Sequence, residues 1–205
     1  MENQNKKKML ILAVVLLAVL VVAGAAYHLL GDKFKGDQLA TQSTPAPNAG
    51  TEEGAAPEET PLPIVPDFTV YSADGEAVNL HDFLGKPIVL NFWASWCGPC
   101  KSEMPAFDKL SAELDGEVQF LMINMTDGKR ETVATASQFI EDNGYTNLDV
   151  YFDTQQDAAM TYGAYALPTS YFIDANGVGI AQAQGAIDEE TLRRGIAMIT
   201  EQEAA

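Results

Sequence analysis

The chain has two cysteines, Cys97 and Cys100, and both fall in one short run, Trp96-Cys97-Gly98-Pro99-Cys100. The apolar stretch Pro87 to Trp93 precedes them and reads as a buried central strand. A helix is expected to begin at about Cys97 and to run to Leu114, bent by Pro105. A thiol at a helix N-terminus meets unpaired N–H groups and the positive end of the macrodipole, and both stabilise the thiolate. Cys100 is three residues on, on the same helical face and within disulfide reach. Pro99 suits the first turn, where its missing N–H costs nothing. The chemistry this spacing favours is thiol–disulfide exchange, with one thiol exposed and acidic and the second beneath it.

Other uses of two cysteines compete. A zinc site needs two more ligands, and the chain has only His28 and His81, so carboxylates would have to substitute. Haem attachment needs a histidine after the second cysteine, where Lys101 stands. A purely structural disulfide closing so small a loop would stabilise little, because the gain grows with loop length. A peroxidatic cysteine would sit in a Pro-x-x-x-Thr-x-x-Cys context, which the residues before Cys97 lack.

The surrounding pattern supplies the elements that must hold this pair. Phe68–Tyr71 and Ala77–Leu80, around Asp74-Gly75, read as a hairpin, with one helical turn from His81 to Leu84. Val118–Met125 is a second buried strand. Glu131–Asn143 is an amphipathic helix closed by Gly144. A short strand Val150–Phe152 and a short helix Gln155–Tyr162 follow. Ser170–Ile173 and Val178–Gln182, around Asn176-Gly177, form a second hairpin, and Asp188 caps a last helix. Strand–helix–strand alternation implies a parallel pair and the hairpins add antiparallel strands. The expected fold is α/β, a mixed central sheet with helices on both faces.

Asn91-Phe92-Trp93-Ala94-Ser95-Trp96-Cys97-Gly98-Pro99-Cys100-Lys101 resembles the active-site strand and turn of the thioredoxin superfamily. Its continuation to Pro105 is similar to the membrane-anchored TlpA/ResA-like branch. Leu167-Pro168-Thr169-Ser170-Tyr171-Phe172-Ile173-Asp174 matches that superfamily's cis-proline loop and the strand after it. The resemblance covers about Leu62 to Ala205 and implies a thioredoxin-like domain over 64–205. It implies that Cys97 is the attacking thiol and Cys100 the resolving one, that Pro168 is cis beside the dithiol, and that Trp96 packs against it. Trp96 read without the resemblance is simply an exposed aromatic. Cytoplasmic thioredoxins carry a buried Asp where this chain has Asn91, and Asn cannot move the resolving cysteine's proton. In the TlpA/ResA-like branch an acidic residue three after the second cysteine is associated with that task, and Glu103 occupies the place, one turn from Cys100. Its alternative is a helix-surface Glu.

The rest of the chain sets the location. Met9 to Leu30 is apolar except for Gly24 and His28. As a helix it is roughly 33 Å long, enough for a bilayer core. Lys6, Lys7 and Lys8 precede it, so residues 1–8 are expected in the cytoplasm and everything after Leu30 outside. A signal peptide cleaved near Ala23-Gly24-Ala25, giving a secreted protein, is the rival, but the apolar core exceeds the usual h-region. Residues 31–63 are rich in Pro, Thr, Ala, Gly and acids and read as a linker without fold.

The formal net charge is −17, and 22 acids against seven bases fall in residues 67–205. Nucleic-acid binding, which depends on Lys and Arg, is excluded. The expected function is an extracytoplasmic reductase of partner-protein disulfides that needs no cofactor. The resemblance implies a transmembrane electron donor of the CcdA/DsbD type. The acceptor classes it suggests are apocytochrome c, an outer methionine sulfoxide reductase and a peroxidase. A disulfide-forming oxidase of the same fold, and a non-catalytic binding module, are the alternatives.

Overall fold

The computed structural model describes residues 39–41 and 63–200. The anchor expected over 9–30 lies outside them. Among the described residues no helix is long and apolar enough to cross a membrane.

The strands are β1 (Leu39–Thr41), β2 (Thr69–Tyr71), β3 (Ala77–Asn79), β4 (Ile88–Trp93), β5 (Gln119–Asn124), β6 (Asp149–Phe152), β7 (Thr169–Ile173) and β8 (Gly179–Gln184). The helices are α1 (Gly98–Glu113), α2 (Val133–Asn143), α3 (Asp157–Tyr162) and α4 (Glu189–Thr200), with a short 3-10 helix at Leu80–Phe83. One sheet runs β1-β8-β7-β4-β5-β6-β2-β3. β4, β5 and β6 are parallel, and the other pairings are antiparallel. The α/β reading therefore holds, with the β2–β3 hairpin added at the β6 edge.

The alternation along β4 explains the two-sided core. Val89 and Trp93 join a cluster with Met104, Phe107 and Leu110 of α1 and Leu192, Ile196 and Ile199 of α4. Ile88, Leu90 and Phe92 point to the other face, where Phe68, Val70 and Ala158 pack. All six residues of β4 are buried, as an apolar run covered on both faces requires. Gly195 brings α4 against β7: a Cβ there would collide with the Phe172 ring.

Three details differ from the sequence reading. Leu39–Thr41, inside the stretch expected to lack fold, is an edge strand in register with Ala183, Gln182 and Ala181 of β8. Leu39 packs on the core, and one large apolar residue at a sheet edge suffices for three ladder positions. Helix α2 begins at Val133, not Glu131, because Thr132 takes the N-cap and its Oγ1 accepts the Thr135 N–H at 3.1 Å. Helix α3 starts at Asp157 rather than Gln155, with Gln156 in a left-handed backbone at φ 59° as its N-cap.

Candidate active site

β4 ends at Trp93 and the chain turns through Ala94 to Cys97, whose N–H donates to Ala94 O at 3.1 Å. Cys97 is the N-cap of α1, and its Sγ accepts the N–H of Cys100 at 3.2 Å. Pro99 lies in the first turn, where no N–H is needed. The two cysteines are joined as a disulfide, with Cα atoms 5.3 Å apart. Cys97 borders an open groove, whereas Cys100 is fully buried under it. Both are buried, Cys97 at 5% and Cys100 at 0% exposure, but Cys97 alone of the two lines the groove.

The groove has a volume of about 590 Å³. Trp96, Met160, Tyr165 and Leu167 line it beside Cys97. Among the described residues, Trp96, Met160 and Tyr165 are three of the four large apolar residues that are exposed. Clustering of that kind marks a contact surface. The Trp96 ring carries the Arg130 guanidinium, 3.6 Å from its centroid. Trp96 is thus an exposed aromatic that shares a groove with Cys97. Lys101 reaches outward, its Nζ 5.5 Å from the centre of the Phe139 ring.

The Leu167–Pro168 peptide is cis. Pro168 is buried, and its carbonyl accepts the Gly185 N–H at 2.9 Å, while Leu167 faces the groove with Cys97. This loop, far along the chain from the cysteines, is brought to their end of the sheet because β7 lies beside β4.

Beneath the dithiol is a polar cluster. Glu103 is 2% exposed, so it is not a helix-surface residue. Its Oε1 accepts from Asn91 Nδ2 at 2.9 Å and its Oε2 from the Ile187 N–H at 3.0 Å. Asn91 Nδ2 also donates to Ser170 Oγ at 2.9 Å, and Asn91 Oδ1 has no partner. Burial pushes the Glu103 carboxyl up to about 7, against the opposing pull of the Ile187 N–H and the Asn91 amide. A carboxyl in that range can both release and take up a proton near neutral pH. It stands three residues after Cys100, on the same helix and in the same buried layer.

The structure brings together Cys97, Cys100, Glu103, Asn91, Trp96 and Pro168. It adds Ser170 and Glu131, which the sequence reading did not single out as site residues. Glu131 is completely buried and accepts from the Ser95 N–H and Ser95 Oγ, each at 2.7 Å. The apolar spacing Val133, Ala136, Phe139 and Ile140, which starts after Glu131, and a cap-forming Thr132 were the available signals.

A thioredoxin-like sheet with a disulfide at the N-terminus of its first long helix, and a second buried polar group within a turn of it, defines a thiol–disulfide oxidoreductase. The match to a family model agrees: residues 63–180 fit the AhpC/TSA family. The chain belongs to that family. It is 33% identical over 113 residues to the thioredoxin-like protein YneN of Bacillus subtilis, covering 55% of this chain and 65% of that one. It is 32% identical over 136 residues to the thiol-disulfide oxidoreductase ResA of Bacillus thuringiensis subsp. konkukian, covering 66% of this chain and 76% of ResA. The crystal structure of the pneumococcal exposed lipoprotein thioredoxin of Streptococcus pneumoniae superposes with a TM-score of 0.56 at 29% identity, over 63% of this chain and 96% of that one.

Proposed function

We propose that the domain is an extracytoplasmic reductase of protein disulfides, working through Cys97 and Cys100. The observation that carries this reading is the split environment of the pair: Cys97 borders the groove, and Cys100 lies buried in one layer with Glu103.

The reaction starts from the dithiol. The Cys97 thiolate attacks one sulfur of a substrate disulfide. A mixed disulfide forms, and the other substrate sulfur leaves as a thiolate that takes a proton from water. Cys100 then gives its proton to Glu103 and its sulfur attacks Cys97. The Cys97–Cys100 bond forms, the mixed disulfide breaks, and the second substrate sulfur leaves as a thiolate that takes up the proton Glu103 received, so the substrate departs with two thiols and two added electrons. Asn91 holds Glu103 in place, and the cis loop at Pro168 offers its backbone beside Cys97 for the substrate strand. The resulting disulfide is re-reduced by a membrane partner of the CcdA/DsbD type.

The reducing direction is supported by Gly98-Pro99 between the cysteines, the pair found in reducing thioredoxins, whose potentials lie near about −270 mV against about −120 mV for strong oxidants. The outward location is supported by Lys6–Lys8 before the apolar run 9–30 and by the exposed lipoprotein among the similar structures. Residues 1–8 then lie inside, 9–30 anchor the chain, and the linker after them lifts the domain from the bilayer.

Insulin reduction by the wild type and by Cys97→Ser tests the reading. Turnover should vanish in the variant. Equal activity of the two proteins would make this a binding module whose cysteines are incidental.

A further inference from the structure

The turn that follows β5 grips the residues just before Cys97 from two sides. Asp127 Oδ1 accepts the N–H groups of Lys129, Arg130 and Glu131 at 2.8, 2.8 and 2.9 Å. Gly128 N–H closes the turn on Glu131 O at 2.9 Å. Consecutive residues of that turn then diverge. Arg130 reaches outward and covers the Trp96 ring. Glu131 points inward and becomes a fully buried carboxylate.

Every contact of the Glu131 carboxylate is a donor from an element that frames the dithiol. Oε1 accepts the Ser95 N–H and the Asn124 Nδ2, both at 2.7 Å. Oε2 accepts Ser95 Oγ at 2.7 Å. Asn124 is the last residue of β5, in register with Trp93 of β4, and Thr126 Oγ1 fixes its Oδ1 at 2.7 Å. Ser95 lies inside the turn that Cys97 N–H closes on Ala94 O. A buried carboxylate is costly unless its donors are well placed, and here two of three come from one residue of the active-site turn.

We propose that Glu131 is a positioning residue for the exchange reaction: through Ser95 it locks the Ala94–Cys97 turn so that Cys97 keeps its place at the N-terminus of α1. The inference rests on the reading of Cys97 as the attacking thiol. What matters is the reach of the side chain and its acceptor oxygens. A glutamine reaches equally far. Its carbonyl oxygen keeps the Ser95 N–H and Asn124 donors, and its amide donates to Ser95 Oγ after the hydroxyl turns. An aspartate is one methylene shorter and cannot span to Ser95.

The test uses the full chain, reduced, in detergent. Two quantities are read: the rate of Cys97 alkylation by iodoacetamide near neutral pH, and the equilibrium of the dithiol with glutathione. Loosening the turn withdraws the helix-end N–H groups from the thiolate, which slows alkylation and destabilises the reduced form. Glu131→Ala and Glu131→Asp should slow alkylation about tenfold. They should shift the glutathione equilibrium about tenfold toward the disulfide, about 30 mV more negative. Glu131→Gln should stay within about twofold of wild type in both. Thermal melting reports folding separately. Should Glu131→Ala fail to fold, the Asp and Gln pair decides: alkylation of the Asp variant less than about threefold slower than that of the Gln variant overturns the proposal. So does a folded Glu131→Ala within about twofold of wild type. Mapping of the alkylated cysteine in wild type keeps the two claims apart. Label on Cys100 rather than Cys97 would refute the attacking role itself, whereas label on Cys97 that is indifferent to Glu131 would refute only the positioning role.

Discussion

Asn91 and Ser170 face each other across the β4–β7 ladder, and Asn91 Nδ2 donates to Ser170 Oγ at 2.9 Å while donating equally closely to Glu103. The register of two antiparallel strands therefore helps set where the Glu103 carboxyl sits beneath the dithiol. Asn91 contributes a donor and no charge at the position where a second acid would compete with Glu103 for the proton.

Glu103 makes the second half of the reaction pH-dependent. Its carboxyl, raised by burial to about 7, is ionised and able to accept the Cys100 proton only above that value. Resolution of the mixed disulfide, followed by stopped-flow, should rise as pH passes about 7. Glu103→Gln should flatten that rise and slow the step about a hundredfold.

The same group links stability to pH. The folded chain holds the Glu103 proton up to about 7, whereas the unfolded chain releases it near 4.5. The unfolded state therefore binds fewer protons between those values, and the favourable contribution present below 4.5 is lost as pH rises through about 7. The loss is roughly 3 kcal/mol at most. Urea unfolding of the oxidised protein should show the wild type losing that amount relative to Glu103→Gln across this interval.

Placing an acid at position 91 should push Glu103 higher, since two carboxyls sharing one site do not both ionise readily. Asn91→Asp should shift the midpoint of the resolution profile upward by about one pH unit or more. The profile measured for the Glu103→Gln protein supplies the baseline. An unshifted midpoint would show that Asn91 does not touch the proton-accepting group in solution.

Gly195 leaves room for the Phe172 ring where α4 crosses β7. Gly195→Ala should destabilise the domain by about 1–3 kcal/mol through overpacking, despite the better helix propensity of Ala. Calorimetry of the two proteins measures this directly.

The dithiol and its helix were legible because everything they need is contiguous: a buried strand, a turn, Cys97 at the cap and Cys100 three residues later. The three-residue step from Cys100 to Glu103 was legible for the same reason. The partners that hold these groups were not. Ser170 lies 79 residues from Asn91, and Glu131 36 residues from Ser95, so their contacts exist only once strand register is set. Glu131 looked like the first residue of an amphipathic helix, and only the Thr132 cap moves it out. Leu39–Thr41 was hidden by the Pro- and acid-rich residues around it, since its pairing depends on β8 rather than on local propensity. The cis form of Pro168 followed from the resemblance alone, because an X–Pro bond is trans by default.

Direction is tested by the reduction potential of the Cys97–Cys100 couple against glutathione. A reductant should lie near about −270 mV, and a value above about −150 mV would assign the protein to the oxidases.

The most direct measurement of the central claim is capture of mixed disulfides by Cys100→Ser in the cell envelope of the source cells. With the resolving thiol gone, partner proteins should remain joined to Cys97, release on reduction, and be absent from the Cys97→Ser control. No captured protein, in a variant whose Cys97 still alkylates at the wild-type rate, would contradict the claim that this domain reduces protein disulfides.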